Sequence, residues 1–229
     1  MNLIDDFISL FFPKTCPACG YNLFNNEKVI CTKCLYHLPK TNFHKDKDNP
    51  VSKVFWGRVN LESATAMYFY RKGSKVQHMI HQLKYMGYKE IGVFLGELYG
   101  SELLAADVFK EIELIIPIPL HRKKLLKRGF NQSEVFANGL AKSMTLEVDT
   151  TSVIRTVATS TQTLKSRYKR WENVNEIFEL KNPEKLAGKN ILVVDDVITT
   201  GATMEACIQV ILHAPGTKVS IASIGFASH

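Results

Sequence analysis

Residues 191–203, ILVVDDVITTGAT, leave this chain few architectures to choose from. Four apolar residues, Ile191 to Val194, spell a strand buried on both faces. Two adjacent carboxylates, Asp195 and Asp196, follow at its end. Thr199, Thr200, Gly201, Ala202 and Thr203 then form a small hydroxylated loop. From Thr203 the pattern turns helical, with Cys207, Ile208, Ile211 and Leu212 on one face. A strand, a tight loop and a helix N-terminus make a seat for an anion. Backbone N–H groups and hydroxyls point at the ligand, and the helix dipole favours negative charge. The loop lacks the Gly-Lys-Ser/Thr of a Walker motif and the glycine triplet of a dinucleotide site.

The two aspartates need their own explanation. Neighbouring carboxylates repel, so a phosphate seat gains nothing from them. A ligand with a phosphate at one end and vicinal hydroxyls nearby accounts for both features, because the carboxylates accept from the hydroxyls. The bland alternative is an ordinary strand–turn–helix with surface aspartates.

The second constraint is cysteine spacing. Of five cysteines, four are paired as Cys16-Pro-Ala-Cys19 and Cys31-Thr-Lys-Cys34, with eleven residues between the pairs. Two such knuckles suit one tetrahedral Zn²⁺ held by four thiolates. A disulfide pair or a redox C-x-x-C explains neither the duplication nor the sequence context. Four thiolates leave no open position, so the expected site is structural. Cys207 stands alone on an apolar helix face and reads as a small core residue.

The chain's 229 residues suit a full domain plus a small one. The expected division is residues 1–50 for an N-terminal helix, zinc module and linker, and 54–229 for the larger domain. A net charge of +7 suits phosphate-rich ligands or nucleic acid. No apolar run approaches the roughly 18 residues of a membrane span. The first residues lack the basic start and cleavage site of a signal peptide, so a cytoplasmic protein is expected.

Taken in order, residues 2–12 carry one apolar stripe, Leu3, Ile4, Phe7, Leu10 and Phe11, which predicts a helix ended by Pro13. It either packs on the protein or docks a partner or a membrane surface, and Asp5 and Asp6 count against an anionic membrane. Residues 40–53 are polar and charged and read as the linker. Residues 64–70 read as a strand, and Ser74 can cap a helix burying Val76, Met79, Ile80 and Leu83. The step Lys84-Tyr85-Met86-Gly87-Tyr88 is either a solvated break or a stacking and phosphate-contacting element. A helix over 89–105 follows. Residues 112–119 are a buried strand, and the densest basic run, 121–128, stands directly after it. At the carboxyl edge of an open α/β sheet that run favours phosphate contact over a solvated charge run. Short strands are expected at 152–154 and 178–180, and a last one over 218–226. The polar, basic segment between the short strands reads as a lid. Its interleaved Arg, Tyr, Lys and Trp also resemble a surface for single-stranded nucleic acid.

These motifs carry a family resemblance. DD-x-x-TTGAT looks like the 5-phosphoribosyl-1-diphosphate (PRPP) motif of type I phosphoribosyltransferases. Added to it are the two cysteine knuckles, PIPLHR-x5-RGFNQ at 117–132, Arg155-Thr156, Thr161-Gln162-x-Leu164, and Arg170, Asn173 and Phe178. Together they resemble the ComF family, GntX-like members included, over nearly the whole length. One departure is Glu176-Ile177, where many relatives carry a Gly-Ala-like pair.

The resemblance implies an α/β, type I phosphoribosyltransferase fold, a mostly parallel sheet flanked by helices, behind a four-cysteine zinc ribbon. It implies that Asp195 and Asp196 hold the ribose and that Thr199, Thr200, Gly201, Ala202 and Thr203 hold the 5′-phosphate. His121, Arg122, Lys123 and Arg128 would face pyrophosphate, with Arg155, Lys165 and Arg167 closing from the lid. Mg²⁺ would accompany PRPP. The family is associated with DNA uptake in natural transformation. Two functions follow: transfer of phosphoribose to an amine or base, or a single-stranded DNA-binding accessory role, with proteins of DNA uptake as partners. A zinc-ribbon transcription factor leaves the phosphate loop unexplained.

Overall fold

A computed structural model describes residues 13–156 and 177–227. The helix expected over 2–12, and Lys165 and Arg167 of the expected lid, lie outside them.

The cysteine module comes first. An antiparallel bridge, Thr15 to Asn22, closes the first knuckle. Cys31 caps helix α1 (Thr32–His37), its Sγ accepting from the Cys34 N–H at 3.4 Å. The next stretch, read from its polarity as a linker, instead holds a 3-10 turn (Phe43–Lys45) and helix α2 (Pro50–Phe55). Its polar residues are spent on capping. Asn49 accepts from the Val51 and Ser52 N–H groups, and Ser52 Oγ accepts from the Asn49 N–H at 3.1 Å. Pro50 sits at the first helical position, where no N–H is needed. Val51 and Phe55 are buried.

Strand β1 (Ser63–Phe69) leads to α3 (Lys75–Tyr85), capped by Ser74, and α4 (Lys89–Leu104). Strand β2 (Leu114–Pro117), α5 (Arg122–Arg128), α6 (Gln132–Met144) and β3 (Glu147–Val148) follow. Strands β4 (Val153–Arg155) and β5 (Phe178–Leu180) pair antiparallel as a separate ribbon. Then come α7 (Pro183–Leu186), β6 (Asn190–Ile198), α8 (Ala202–Ile211) and β7 (Lys218–Phe226).

The main sheet has the order β1-β7-β6-β2-β3, every pair parallel. Buried residues alternate along β6. Leu192 and Val194 join α3, α4 and α6, whereas Ile191 and Val193 join α2 and α8 on the other face. The cysteine module shares the first of these clusters, with Cys16, Cys31 and Cys34 in one apolar set with Met79 and Leu83.

Helices α4 and α6 cross at backbone contact. A Cβ on Gly96 would stand 2.4 Å from the Phe136 carbonyl oxygen, and one on Gly139 2.2 Å from that of Val93. Only glycine permits that approach. Gly139→Ala is therefore expected to cost about 3 kcal/mol, since overpacking here pushes backbone against backbone. Thermal unfolding should show a midpoint lowered by about 6–12 °C.

Candidate phosphoribosyl site

Parallel order places the carboxyl ends of β1, β2, β6 and β7 on one edge. The chain leaves β6 toward β7 on one side and β2 toward β3 on the other. The gap between β6 and β2 is thus the topological switch point, where open α/β sheets bind ligands. Val194 is the last β6 residue paired with β2, opposite Pro117. Asp195 and Asp196 come next, just where the neighbouring strand has ended.

Strand alternation sends the two carboxylates to different neighbours. Asp195 Oδ1 accepts from Ser133 Oγ at 2.7 Å and from the Asp196 N–H at 2.9 Å. Asp196, 5% exposed, forms an ion pair with Lys84 and accepts from Gln132 Nε2 at 3.4 Å. Gln132 in turn accepts from Arg128, whose guanidinium lies 5.4 Å from the centre of the Tyr85 ring. A continuous polar chain therefore runs Lys84–Asp196–Gln132–Arg128–Tyr85. Of the Lys84–Tyr88 step, Lys84 and Tyr85 join this chain, whereas Met86, Gly87 and Tyr88 are exposed.

Burial, reinforced by the Asp196 charge, pushes the Asp195 carboxyl up to about 7. Lys84 is also enclosed. Burial works against its charge, but Asp196 overcomes that and holds it above its ordinary value. The Asp195 shift has a definite sign in stability. Its pKa is raised above the unfolded carboxylate value, so the folded state binds the extra proton between about pH 4 and 7. Wild-type stability measured against Asp195→Asn should fall as pH rises through that window and level off above it. Urea unfolding at pH 5 and pH 8 reads the difference.

The 199–203 loop sits at the end of β6. Thr199 and Thr200 are exposed, and Gly201 turns into α8 at φ +73°. A Cβ there would meet Phe55 Cζ and Val54 Cγ1 at 2.9 Å, so glycine is required twice over. A hollow of about 50 Å³ is walled by Asp195 and by 197–204. Arg58 braces it from behind, donating to the Thr200 carbonyl oxygen at 2.9 Å and to Glu205. The α2 segment thus supports the loop.

The basic run forms α5. His121 caps it, its Nδ1 accepting from the Lys123 N–H at 3.2 Å, while Arg122 and Lys123 lie exposed. Only Arg128 of these four reaches the carboxylates, through Gln132. Lys124, in the same basic run, lies near other cations. Burial first, then the charges of Arg155, Arg128 and Lys84, depress its pKa. Arg155 sits over the Phe178 ring at 5.3 Å and feels the charge of Asp195. Three cations from α3, α5 and β4, Lys84, Arg128 and Arg155, therefore stand about the two carboxylates, with Lys124 near them. Gln132 ends the RGFNQ run and Lys84 opens the Lys84–Tyr88 step, but only adjacency after folding shows that they, Lys124 and Ser133 gather at the carboxylates. Asn131 of the basic stretch is structural. It caps α6 through the Ser133 N–H and donates to the Ile118 carbonyl oxygen at 3.0 Å.

At the other end, the Sγ atoms of Cys16, Cys19, Cys31 and Cys34 lie within 4.8 Å of one another. The backbone N–H groups of Cys31 and Cys34 donate to sulfur. The cluster is able to bind a metal ion, and its donors are all sulfur. Cys207 is fully buried in the core. Among the described residues no helix is long and apolar enough to cross a membrane.

A parallel sheet with paired carboxylates and a hydroxyl loop at its switch point defines a protein of the phosphoribosyltransferase class. The phosphoribosyl transferase domain model matches residues 73–228, and this chain belongs to that family. It is similar to the DNA utilization protein YhgH of Escherichia coli (strain K12), at 30% identity over 90% of this chain and 87% of that protein. Competence protein F of Haemophilus influenzae is 32% identical over 40% of this chain and 41% of its own. Competence protein ComFC of Bacillus subtilis is 30% identical over 48% and 42%.

Proposed function

We propose that this protein binds PRPP at the β6 edge and acts in the handling of DNA taken up by the cell. The observation that carries the first half is the joint placement of Asp195, Asp196 and the 199–203 loop at the switch point. Asp195 and Asp196 accept from the ribose hydroxyls. Thr199, Thr200, Gly201, Ala202 and Thr203 hold the 5′-phosphate with backbone N–H groups and hydroxyls. Arg128, with Lys124, faces the pyrophosphate, and His121, Arg122 and Lys123 line its approach. Arg155, on β4 near Asp195, is the described member of the lid set expected with Lys165 and Arg167.

In transfer, a nitrogen lone pair forms a bond to C1 as the C1–O bond breaks, and the electron pair leaves with pyrophosphate. Positive charge grows at C1, so the protein's contribution is electrostatic and positional. Asp195 and Asp196, holding the ribose, would favour that charge. Mg²⁺ fits a site with few protein oxygens, and it would neutralise pyrophosphate charge. Zn²⁺ fits the four thiols of the cysteine cluster and would be structural. A cytoplasmic location fits a PRPP-binding protein.

The second half rests on the names of the relatives and on the +7 charge. A second reading keeps PRPP as a regulator and uses the basic face on single-stranded DNA, with proteins of DNA uptake as partners. Titration calorimetry with PRPP and Mg²⁺ tests the first reading, and absence of binding removes it. Oligonucleotide binding measured against salt, with and without PRPP, tests the second. Competition places both polyanions on one basic face.

A further inference from the structure

The amino edge of the main sheet holds a second hollow, of about 260 Å³. Separate elements wall it. Glu62 precedes β1, Asn190 begins β6, and Lys218 and Ser220 belong to β7. Glu111 follows the 3-10 turn after α4, and Lys47 comes from the stretch before α2. Asn190 begins the strand whose far end carries Asp195 and Asp196, so the phosphoribosyl site does not account for this hollow.

Two observations point to a ligand. Ser220 is 2% exposed, lines the hollow and makes no hydrogen bond among the described residues. Parallel register sets Ser63 beside it, and Ser63 Oγ is also buried without a partner among the described residues. Buried hydroxyls ordinarily have one. The second observation is the charge. Lys47, Lys218, Glu62 and Glu111 ring the hollow, two of each sign, yet among the described residues none of them forms an ion pair. Asp107 on the same wall is already spent on Lys110, at 2.6 Å.

The carboxylates do not converge on an ion. Among the described residues, only the four cysteines bring three or more metal donors together. Opposite charges held apart around a hollow suit a ligand that carries both, its ammonium on a carboxylate and its carboxylate on a lysine. Val108 and Ile112 offer an apolar wall to its carbon atoms, and Asn190 offers an amide. The volume falls just short of the roughly 300 Å³ at which drug-sized sites begin, which suits a molecule of amino-acid size.

We propose that this hollow binds a free α-amino acid. Its ammonium sits on the Glu62 or Glu111 carboxylate, its carboxylate on the Lys47 or Lys218 ammonium, and Ser220 Oγ donates to it. The assignment is independent of the phosphoribosyl reading, because the two sites lie at opposite ends of β6.

The test uses the full-length, zinc-loaded protein. Thermal unfolding is recorded with each standard L-amino acid at about 10 mM. At least one should raise the midpoint saturably, by about 3 °C or more at ten times its Kd. The N-acetyl and amide derivatives of that amino acid, each missing one charge, should bind at least about tenfold more weakly. Lys47→Gln/Lys218→Gln and Glu62→Gln/Glu111→Gln should each weaken calorimetric binding by about tenfold or more. All four side chains are exposed and unpaired among the described residues, so neither variant should lose stability. Ser220→Ala removes a hydroxyl that has no partner. Its ligand-free protein should melt at the wild-type temperature or above, while affinity falls about fivefold. PRPP affinity should stay within about twofold in all three variants. No saturable shift from any amino acid overturns the proposal. So does binding that survives unchanged in all three variants, or a derivative that binds as tightly as its parent.

Discussion

Replacing both carboxylates, Asp195→Asn with Asp196→Asn, should weaken PRPP binding by about 100-fold or more. Hydrogen bonds to a charged group contribute about 1.5–3 kcal/mol each, and every 1.4 kcal/mol is tenfold in affinity. Calorimetric titration with Mg²⁺ reads the loss. The variant also strands Lys84, whose partner in the fold is Asp196. Leaving one half of a buried pair costs about 3–5 kcal/mol, so a folding defect could imitate lost binding. Adding Lys84→Met removes the stranded cation. A folded triple variant that has lost PRPP supports the ribose assignment. Wild-type affinity in a folded double or triple variant would sink it. Asp195 adds a pH signature. Ligand hydroxyls stabilise the ionised carboxylate, so affinity should climb as pH rises through about 7.

Metal removal should be the larger structural insult. The wild-type protein is expected to hold one zinc per chain by elemental analysis, and Cys31→Ser/Cys34→Ser should hold almost none. Burial pushes the Cys31 and Cys34 thiols up, so a metal-free cluster leaves them protonated and unligated in the core. Structural zinc contributes on the order of 10 kcal/mol in isolated zinc-finger modules. Here the loss should spread. Cys16, Cys31 and Cys34 share one apolar cluster with Met79 and Leu83 of α3, the helix that carries Lys84. Chelation should lower the thermal midpoint by about 10 °C or more, at roughly 2–4 °C per kcal/mol. It should also weaken PRPP binding at a distance, because α3 positions the partner of Asp196. A metal-free protein with unchanged melting and unchanged PRPP affinity would show that packing alone holds the module.

The strongest signals in the sequence were local in the chain. β6 and its loop were legible because a doubly buried strand, two acids and a hydroxylated turn are consecutive. The cysteine knuckles were legible because a tetrahedral metal needs donors in close pairs. The caps were partly legible. Ser74 announced α3, whereas Asn49-Pro50-Val51-Ser52 was lost in a polar stretch read as a linker. Composition there hid a capping box, since capping residues and loop residues are the same types.

The site's remaining groups come from separate elements. Lys84 is far from Asp196 in the chain and pairs with it only because α3 and β6 share one face of the sheet. Lys124 and Arg122 are equivalent as letters in a basic run. Both are exposed on α5, but its turn brings Lys124 close to Arg155, Arg128 and Lys84. The sequence by itself determined the strand, the hydroxylated loop after it, the carboxylate pair and the sulfur donor set, because each is a run of neighbours whose chemistry is local. Tertiary structure alone decided the switch point, the cations about the carboxylates and the hollow at the amino edge. Those depend on strand order and helix rotation, which follow from how the whole apolar surface is buried.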